Sequence, residues 1–177
     1  MTDFIIEQAA PPAEAEALLD AAFGPQRRLK SSYRLREGAR PVPGLSFTAR
    51  QAESGHLAGV LSFWPLRLSG DGRPALLLGP LAVHPDFQGR GLGSRLMKAG
   101  LKAAAEKGAR LVFLVGDAPY YARFGFAPVP PGQVLMPGPF DPARLLHLEL
   151  ADGAFDGASG LLLPEHRWLA EQQGRKG

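Results

Sequence analysis

LLLGPLAVHPDFQGRGLGSRLMKAGL, residues Leu76 to Leu101, is the stretch around which the 177-residue chain is arranged: an apolar run passes through a glycine-rich turn into a helical pattern. Leu76, Leu77, Leu78, Leu81 and Val83 suit a buried strand, but Gly79-Pro80 interrupts the run in a way an ordinary central strand avoids, which predicts a bulge. After His84-Pro85-Asp86-Phe87 comes Gln88-Gly89-Arg90-Gly91-Leu92-Gly93, whose glycines allow tight turns and leave backbone N–H groups open to a close-approaching anion. From Leu92 onward, Leu96, Gly100 and Ala104 recur at intervals of four residues, with Met97 and Leu101 beside them. A helix therefore begins in the loop and points its positive end there. Gly108 reads as its C-terminal cap.

Spacing separates the loops that could look like this. No Gly-Lys-Ser/Thr follows, so the loop lacks the lysine and hydroxyl of a nucleotide-triphosphate site. Gly89, Gly91 and Gly93 are spaced G-x-G-x-G rather than G-x-G-x-x-G, and no acidic residue ends a following strand, which excludes the dinucleotide fingerprint. What remains is Gln-x-x-Gly-x-Gly after a strand and opening a helix. Here the chain resembles the GCN5-related N-acetyltransferase (GNAT) superfamily, where Gln/Arg-x-x-Gly-x-Gly/Ala is the pyrophosphate loop for acetyl-CoA. A second stretch, Tyr120-Tyr121-Ala122-Arg123-Phe124-Gly125-Phe126, resembles the family's short helix ending in Tyr-x-x-x-Gly-Phe. Gly-Pro-Leu-Ala-Val-His-Pro together with Gly-Asp-x-x-Tyr-Tyr-x-Arg-Phe-Gly-Phe is similar to a branch described only as predicted N-acetyltransferases. The likeness is dense over residues 76–129 and faint elsewhere.

The resemblance implies that Gln88, Gly89, Arg90, Gly91, Leu92, Gly93 and Ser94 hold the pyrophosphate of acetyl-CoA. It also implies that the backbone of Leu81, Ala82 and Val83 pairs with the pantetheine arm like an added strand. Arg90 reads equally as a phosphate contact or a solvated side chain, and Ser94 as a backbone-satisfying hydroxyl rather than a nucleophile. A backbone N–H of the Leu81–Val83 strand is expected to polarise the thioester carbonyl. Tyr121 stands at the family's tyrosine position, where a phenol can donate to a departing thiolate; the alternative is a packed aromatic, since Tyr120, Phe124 and Phe126 surround it. Asp117 is placed near the cofactor, or caps the small helix. The family's strand glutamate is missing, so Asp86, Asp117, Glu53, His56 and His84 stand as candidates for the general base, with His84-Pro85 fitting turn chemistry better.

Composition narrows the partners. A content of 45% hydrophobic and 21% charged residues fits one globular domain over 1–177, while 22 glycines and 17 prolines point to long irregular connections. The net charge of +3 comes from 20 basic against 17 acidic residues, enough for an anionic cofactor but without the basic, aromatic-interleaved stripe of a nucleic-acid binder. With no cysteine there is no disulfide, no acyl-cysteine and no cysteine-ligated zinc, and no metal is expected. Met1-Thr2-Asp3 lacks a leader pattern and no run reaches membrane-spanning length, so the chain reads as cytoplasmic.

In chain order, Phe4-Ile5-Ile6 predicts a strand and residues 12–23 a helix. Residues 24–43 are basic and irregular, either a substrate lid or a solvated connection, with Tyr33, Arg36 and Arg40 suggesting an acidic or aromatic acceptor. Strands at 45–49 and 56–63 and a second hairpin through 69–73 lead into the cofactor strand. Then follow a strand at 111–115, a small helix at 119–124, a strand at 126–129, a proline-rich surface loop at 130–142, late strands at 145–150 and 161–163, and a ragged polar tail at 165–177. The expected fold is α/β and GNAT-like, a central mixed, mostly antiparallel sheet flanked by helices. The expected activity is direct acetyl transfer from acetyl-CoA to an amine of a small molecule or peptide. A non-catalytic acyl-CoA sensor is the alternative.

Overall fold

In the computed structural model, residues 3–176 are described. The leader-pattern reading of Met1-Thr2 and the final tail residue, Gly177, lie outside them. The chain forms two compact units, the first from residues 3–28, Pro41–Phe63 and Leu78–Lys107. It contains β1 (Phe4–Gln8), α1 (Ala15–Phe23), β2 (Ser46–Gln51), the start of β3 (Leu57–Leu68), the end of β4 (Pro74–Val83) and α2 (Leu92–Glu106). β1 and β2 are antiparallel with Ile6 opposite Ala49, and β2 and β3 are antiparallel with Phe47 opposite Leu61. On α1 the spacing of Ala15, Leu18 and Leu19 turns one stripe onto Leu57, Val60 and Ala82. Arg27 is 3% exposed and pairs with Glu16 and Asp20 of that helix, and this guanidinium holds the Glu16 carboxyl below the usual carboxylate range.

Helix α2 buries Leu92, Leu96, Met97, Gly100 and Ala104, the periodicity legible in the sequence. Two glycines set how closely it sits. A Cβ on Gly100 would lie 2.7 Å from Leu61 Cδ2 and 2.8 Å from Phe63 Cε2, and one on Gly59 2.8 Å from Leu96 Cδ1. Such distances are shorter than Cβ atoms show, so the bare backbone of α2 at Gly100 receives the Leu61 and Phe63 side chains and that of β3 at Gly59 receives Leu96. That contact fixes where the N-terminus of α2 stands.

The second unit comprises Leu29–Arg40, Trp64–Leu77 and residues 108–176. It holds the rest of β3, the start of β4, β5 (Leu111–Val115), α3 (Ala118–Ala122), β6 (Ala127–Pro128), β7 (Val134–Leu135), β8 (Leu145–Glu149), β9 (Gly160–Pro164) and α4 (Glu165–Arg175). β4 and β5 are parallel, pairing Leu76 with Val112 and Leu77 with Phe113, while β8 runs antiparallel along β5 from Leu111↔Glu149 to Val115↔Leu145. β9 is antiparallel to β3 and parallel to β7. The sheet is thus mixed and mostly antiparallel, flanked by helices, as expected. Leu35, Leu66, Leu77, Phe113, Leu145 and Leu162 belong to this unit's core. His147 of β8 stacks on Phe155 with centroids 3.7 Å apart, and burial pushes its imidazole pKa below the ordinary value.

β4 runs from Pro74 to Val83 through a cis Gly79-Pro80 peptide, with Gly79 at φ 139°. Three local expectations need correction. Residues 130–142 are not all surface loop: Val134 and Met136 are buried and β7 pairs with β9, an apolar pattern masked by the flanking prolines. The polar tail forms α4, anchored by Glu165 to Arg67 at 2.9 Å and by the Trp168 ring, 4.9 Å from the Arg67 guanidinium carbon. Finally, the segment after Arg28 is not a solvated connection. Its 3-10 turn at Ser31–Leu35 buries Leu35 fully, Ser31 Oγ donates to the Pro139 carbonyl, and Arg34 lies over Gly138. Among the described residues no helix is long and apolar enough to cross a membrane.

Candidate active site

In the first unit, β4 delivers Leu81, Ala82 and Val83, and the chain then turns through the short 3-10 segment Pro85–Phe87. His84 shapes that turn: its Nδ1 accepts from the Asp86 N–H at 3.1 Å, which is the turn chemistry expected of His84-Pro85. Gln88 Nε2 reaches back towards the Val83 carbonyl at 3.4 Å, so this side chain braces the loop against the strand end. Gly89 and Gly91 have φ of 78° and 75°, left-handed values that only glycine adopts without cost, and a Cβ on either would meet nothing within 4 Å. These two glycines are required by backbone shape, and the space beside them is open.

Gly91 is the N-cap of α2, and no side chain caps it. The Arg95 N–H bonds to the Gly91 carbonyl at 3.1 Å, closing the first turn. Helix geometry leaves the N–H groups of Leu92, Gly93 and Ser94 without an intrahelical acceptor. Leu92 is 1% exposed, so its side chain serves the core while its N–H belongs to the helix end. No acidic residue lies in the first turn to neutralise the dipole. Arg90 is exposed, with its guanidinium carbon 5.6 Å from the Phe87 ring centre. The arrangement can take up a phosphate-like anion by backbone hydrogen bonds and helix dipole together.

In the second unit, β5 ends at Val115 and α3 carries the tyrosine pair. Asp117 precedes α3 as its N-cap, but its side chain is exposed and makes no cap hydrogen bond; its carbonyl accepts from the Tyr121 N–H at 3.1 Å. Tyr121 is held on three sides. The Tyr120 ring stands perpendicular at 4.9 Å, Phe126 lies at 6.0 Å, and the face of Gly116 is so close that a Cβ there would sit 2.5 Å from Tyr121 Cε2. Burial, reinforced by Tyr120, pushes the phenol pKa up to about 12, while Arg144 pulls it the other way. The hydroxyl therefore stays protonated at every physiological pH. The enclosed ring agrees with the packed-aromatic reading of Tyr121.

The remaining base candidates are peripheral in their units: Asp86 has 81% of its side chain exposed, and Glu53 and His56 are exposed beside the turn before β3. Sequence reasoning missed Gly116 as a contact, which depends on the turn through α3, and Arg144 as a charge beside the tyrosine, which requires the β5–β8 pairing to be known. It singled out Tyr33 and Arg36, and the structure adds Trp64: the Arg36 guanidinium carbon is 3.9 Å from the Tyr33 ring centre and 5.8 Å from that of Trp64. Arg40 is exposed and outside this stack.

Comparison with known proteins gives these features a setting. The chain is similar to two Escherichia coli proteins described as uncharacterized N-acetyltransferases. YhbS is 30% identical over 147 residues, covering 83% of this chain and 86% of YhbS. YjhQ is 36% identical over 109 residues, 60% of this chain, which spans only 59% of YjhQ. The crystal structure of YhbS in complex with CoA superposes with a TM-score of 0.76 at 27% identity, covering 96% of this chain and 93% of that one. A GNAT family acetyltransferase from Brucella melitensis in complex with acetyl-CoA gives 0.62 at 26% identity, covering 85% and 90%. The sequence profile of the Acetyltransferase (GNAT) family matches residues 13–126, from the first helix to the Gly-Phe that closes the tyrosine motif, and the chain belongs to that family.

Proposed function

We propose that the protein is an acetyl-CoA-dependent N-acetyltransferase, acting as one domain over residues 1–177 and moving the acetyl group directly to a primary amine of a small molecule or peptide. The observation that carries this is the glycine-opened, uncapped N-terminus of α2 directly after the Leu81–Val83 strand. Gln88, Gly89, Arg90, Gly91, Leu92, Gly93 and Ser94 seat the pyrophosphate, Leu81, Ala82 and Val83 pair with the pantetheine arm, and Asp117 borders it. CoA and acetyl-CoA in the related crystal structures support this assignment.

In the reaction the neutral amine attacks the thioester carbonyl, an oxyanion forms against a backbone N–H of the Leu81–Val83 strand, and the C–S bond breaks. The amine nitrogen sheds one proton and the sulfur takes one up, so the protein ends in the state in which it began. Tyr121 stands for the sulfur end. With its pKa near 12 it is a weaker acid than a thiol, so it serves as a hydrogen-bond donor to the charge growing on sulfur rather than as a strong acid. Without a cysteine no acyl-cysteine forms, which favours direct transfer.

A thermal melt tests the cofactor assignment. A ligand at a hundred times its Kd adds about 2.7 kcal/mol, which for a chain this size raises Tm by roughly 5–10 °C. Acetyl-CoA and CoA each produce that rise, and ATP and NAD do not; a flat response to both CoA forms sinks the reading. A second reading, an acyl-CoA sensor without turnover, is favoured by the absence of a carboxylate along β4. Binding with no acetyl transfer to a broad amine panel selects it. The Tyr33–Arg36–Trp64 stack favours an acceptor bearing an acidic or aromatic group. Arg36→Ala then raises the acceptor KM about 10-fold, the worth of one charge-assisted contact, and leaves the acetyl-CoA KM unchanged. Equal changes in both would remove that assignment.

A further inference from the structure

We propose that Gly116 is a positioning residue for acetyl transfer, the floor that sets where the Tyr121 hydroxyl stands; this rests on the donor role given to Tyr121 above. Gly116 follows β5 directly, is buried, and donates its N–H to the Arg144 carbonyl at 2.9 Å, so its backbone is locked to the residue before β8. Its φ is not among the positive values of the chain's glycines, so a left-handed backbone is not what calls for glycine there. What excludes a side chain is the tyrosine: a Cβ would lie 2.5 Å from Tyr121 Cε2, 3.1 Å from Cδ2 and 3.1 Å from Leu114 Cδ1.

A single methyl group must therefore push the ring off. The ring has little freedom to yield, because Tyr120 meets it at 90° and is itself held by Phe124 at 5.7 Å and by the Arg123 guanidinium carbon 4.6 Å from its ring centre. On the other side Phe126 closes at 71°, and its N–H bonds to the Tyr121 carbonyl at 3.3 Å, fixing the backbone from which the side chain hangs. Displacement is left to the ring's own torsions, which carry the hydroxyl with them. A shift of about 1 Å in a reacting group is enough to cost a large part of its contribution.

The test is a set of variants read both in kinetics and in melting. Gly116→Ala lowers kcat about 10-fold with the acetyl-CoA KM kept, and in a Tyr121→Phe background adds no further loss of kcat, because both changes act on one hydroxyl. In melting, Gly116→Ala lowers Tm in the wild type but not in a Tyr121→Ala background, where the ring is gone; this arm stands even if Gly116→Ala alone folds poorly. Wild-type kcat in Gly116→Ala beside a slow Tyr121→Phe overturns the proposal and leaves the donor role intact, as do losses that multiply in the double variant or a Tm loss that persists without the ring. Wild-type kcat in Tyr121→Phe removes the donor role, and this proposal with it.

Discussion

Tyr121→Phe lowers kcat by about 10²- to 10³-fold, the range measured when one preorganised donor to a developing charge is removed, while the acetyl-CoA KM stays within about twofold because no uniform binding contact is lost. The substitution keeps the ring that Gly116, Tyr120 and Phe126 enclose and deletes only the hydroxyl, so the fold is little affected. The pH dependence follows from the sign of the shift. A phenol raised from 10 to about 12 favours the protonated form in the folded state, so its stabilising effect is complete below pH 10 and is lost between pH 10 and 12. On the alkaline side kcat is therefore not limited by this group below about pH 10. On the acid side the limb belongs to the amine, an alkylammonium with pKa near 10.4 being sparsely neutral at pH 7. Steady-state kinetics across pH 6 to 10 on both proteins check this. Equal kcat values, or a tenfold rise in the acetyl-CoA KM at unchanged kcat, would move Tyr121 from donor to wall.

How far the sequence alone reached depends on whether a feature is written in neighbouring residues. β5 was expected at 111–115 and found there, because an apolar run is bounded by Arg110 and Gly116. Helix α2 was legible from Leu92, Leu96, Gly100 and Ala104, a period with one reading. The loop glycines were legible for the same reason, since Gly89 and Gly91 serve a local backbone shape. By contrast, α4 carries no buried residue and hence almost no hydrophobic period; it is held by Arg67 on a strand about a hundred residues earlier. Val134 and Met136 were hidden by the prolines around them, although alternate apolar residues were the available signal. Gly116 escaped because its role is the absence of a side chain opposite a ring that α3 brings back from five residues on. The missing base has a different origin: no carboxylate occurs along β4, so nothing in that strand could be read as one.

The second large effect separates binding from stability. Ser94 is the third residue of α2, on a turn with no acidic residue and above a glycine N-cap with no side-chain acceptor. Ser94→Asp puts a carboxylate where a helix welcomes it, worth about 0.3–1 kcal/mol through the dipole, so the free protein melts at the same temperature or slightly higher. For an incoming pyrophosphate the same carboxylate is a like charge. At about 5 Å and an effective dielectric constant near 20, one such pair costs about 3 kcal/mol, or more than a hundredfold in Kd. The side chain also competes for the N–H groups the phosphate would use. CoA binding by calorimetry is thus weakened by at least about 10²-fold in a protein no less stable than its parent. Ser94→Asn, without the charge, loses only a few-fold, and added salt narrows the gap between the two variants. A plain structural turn predicts the reverse pattern, with Ser94→Asp binding CoA as the wild type does. Since the stability change and the affinity change have opposite signs, misfolding cannot imitate the expected result, and an unaltered Kd would leave the N-terminus of α2 without its anion.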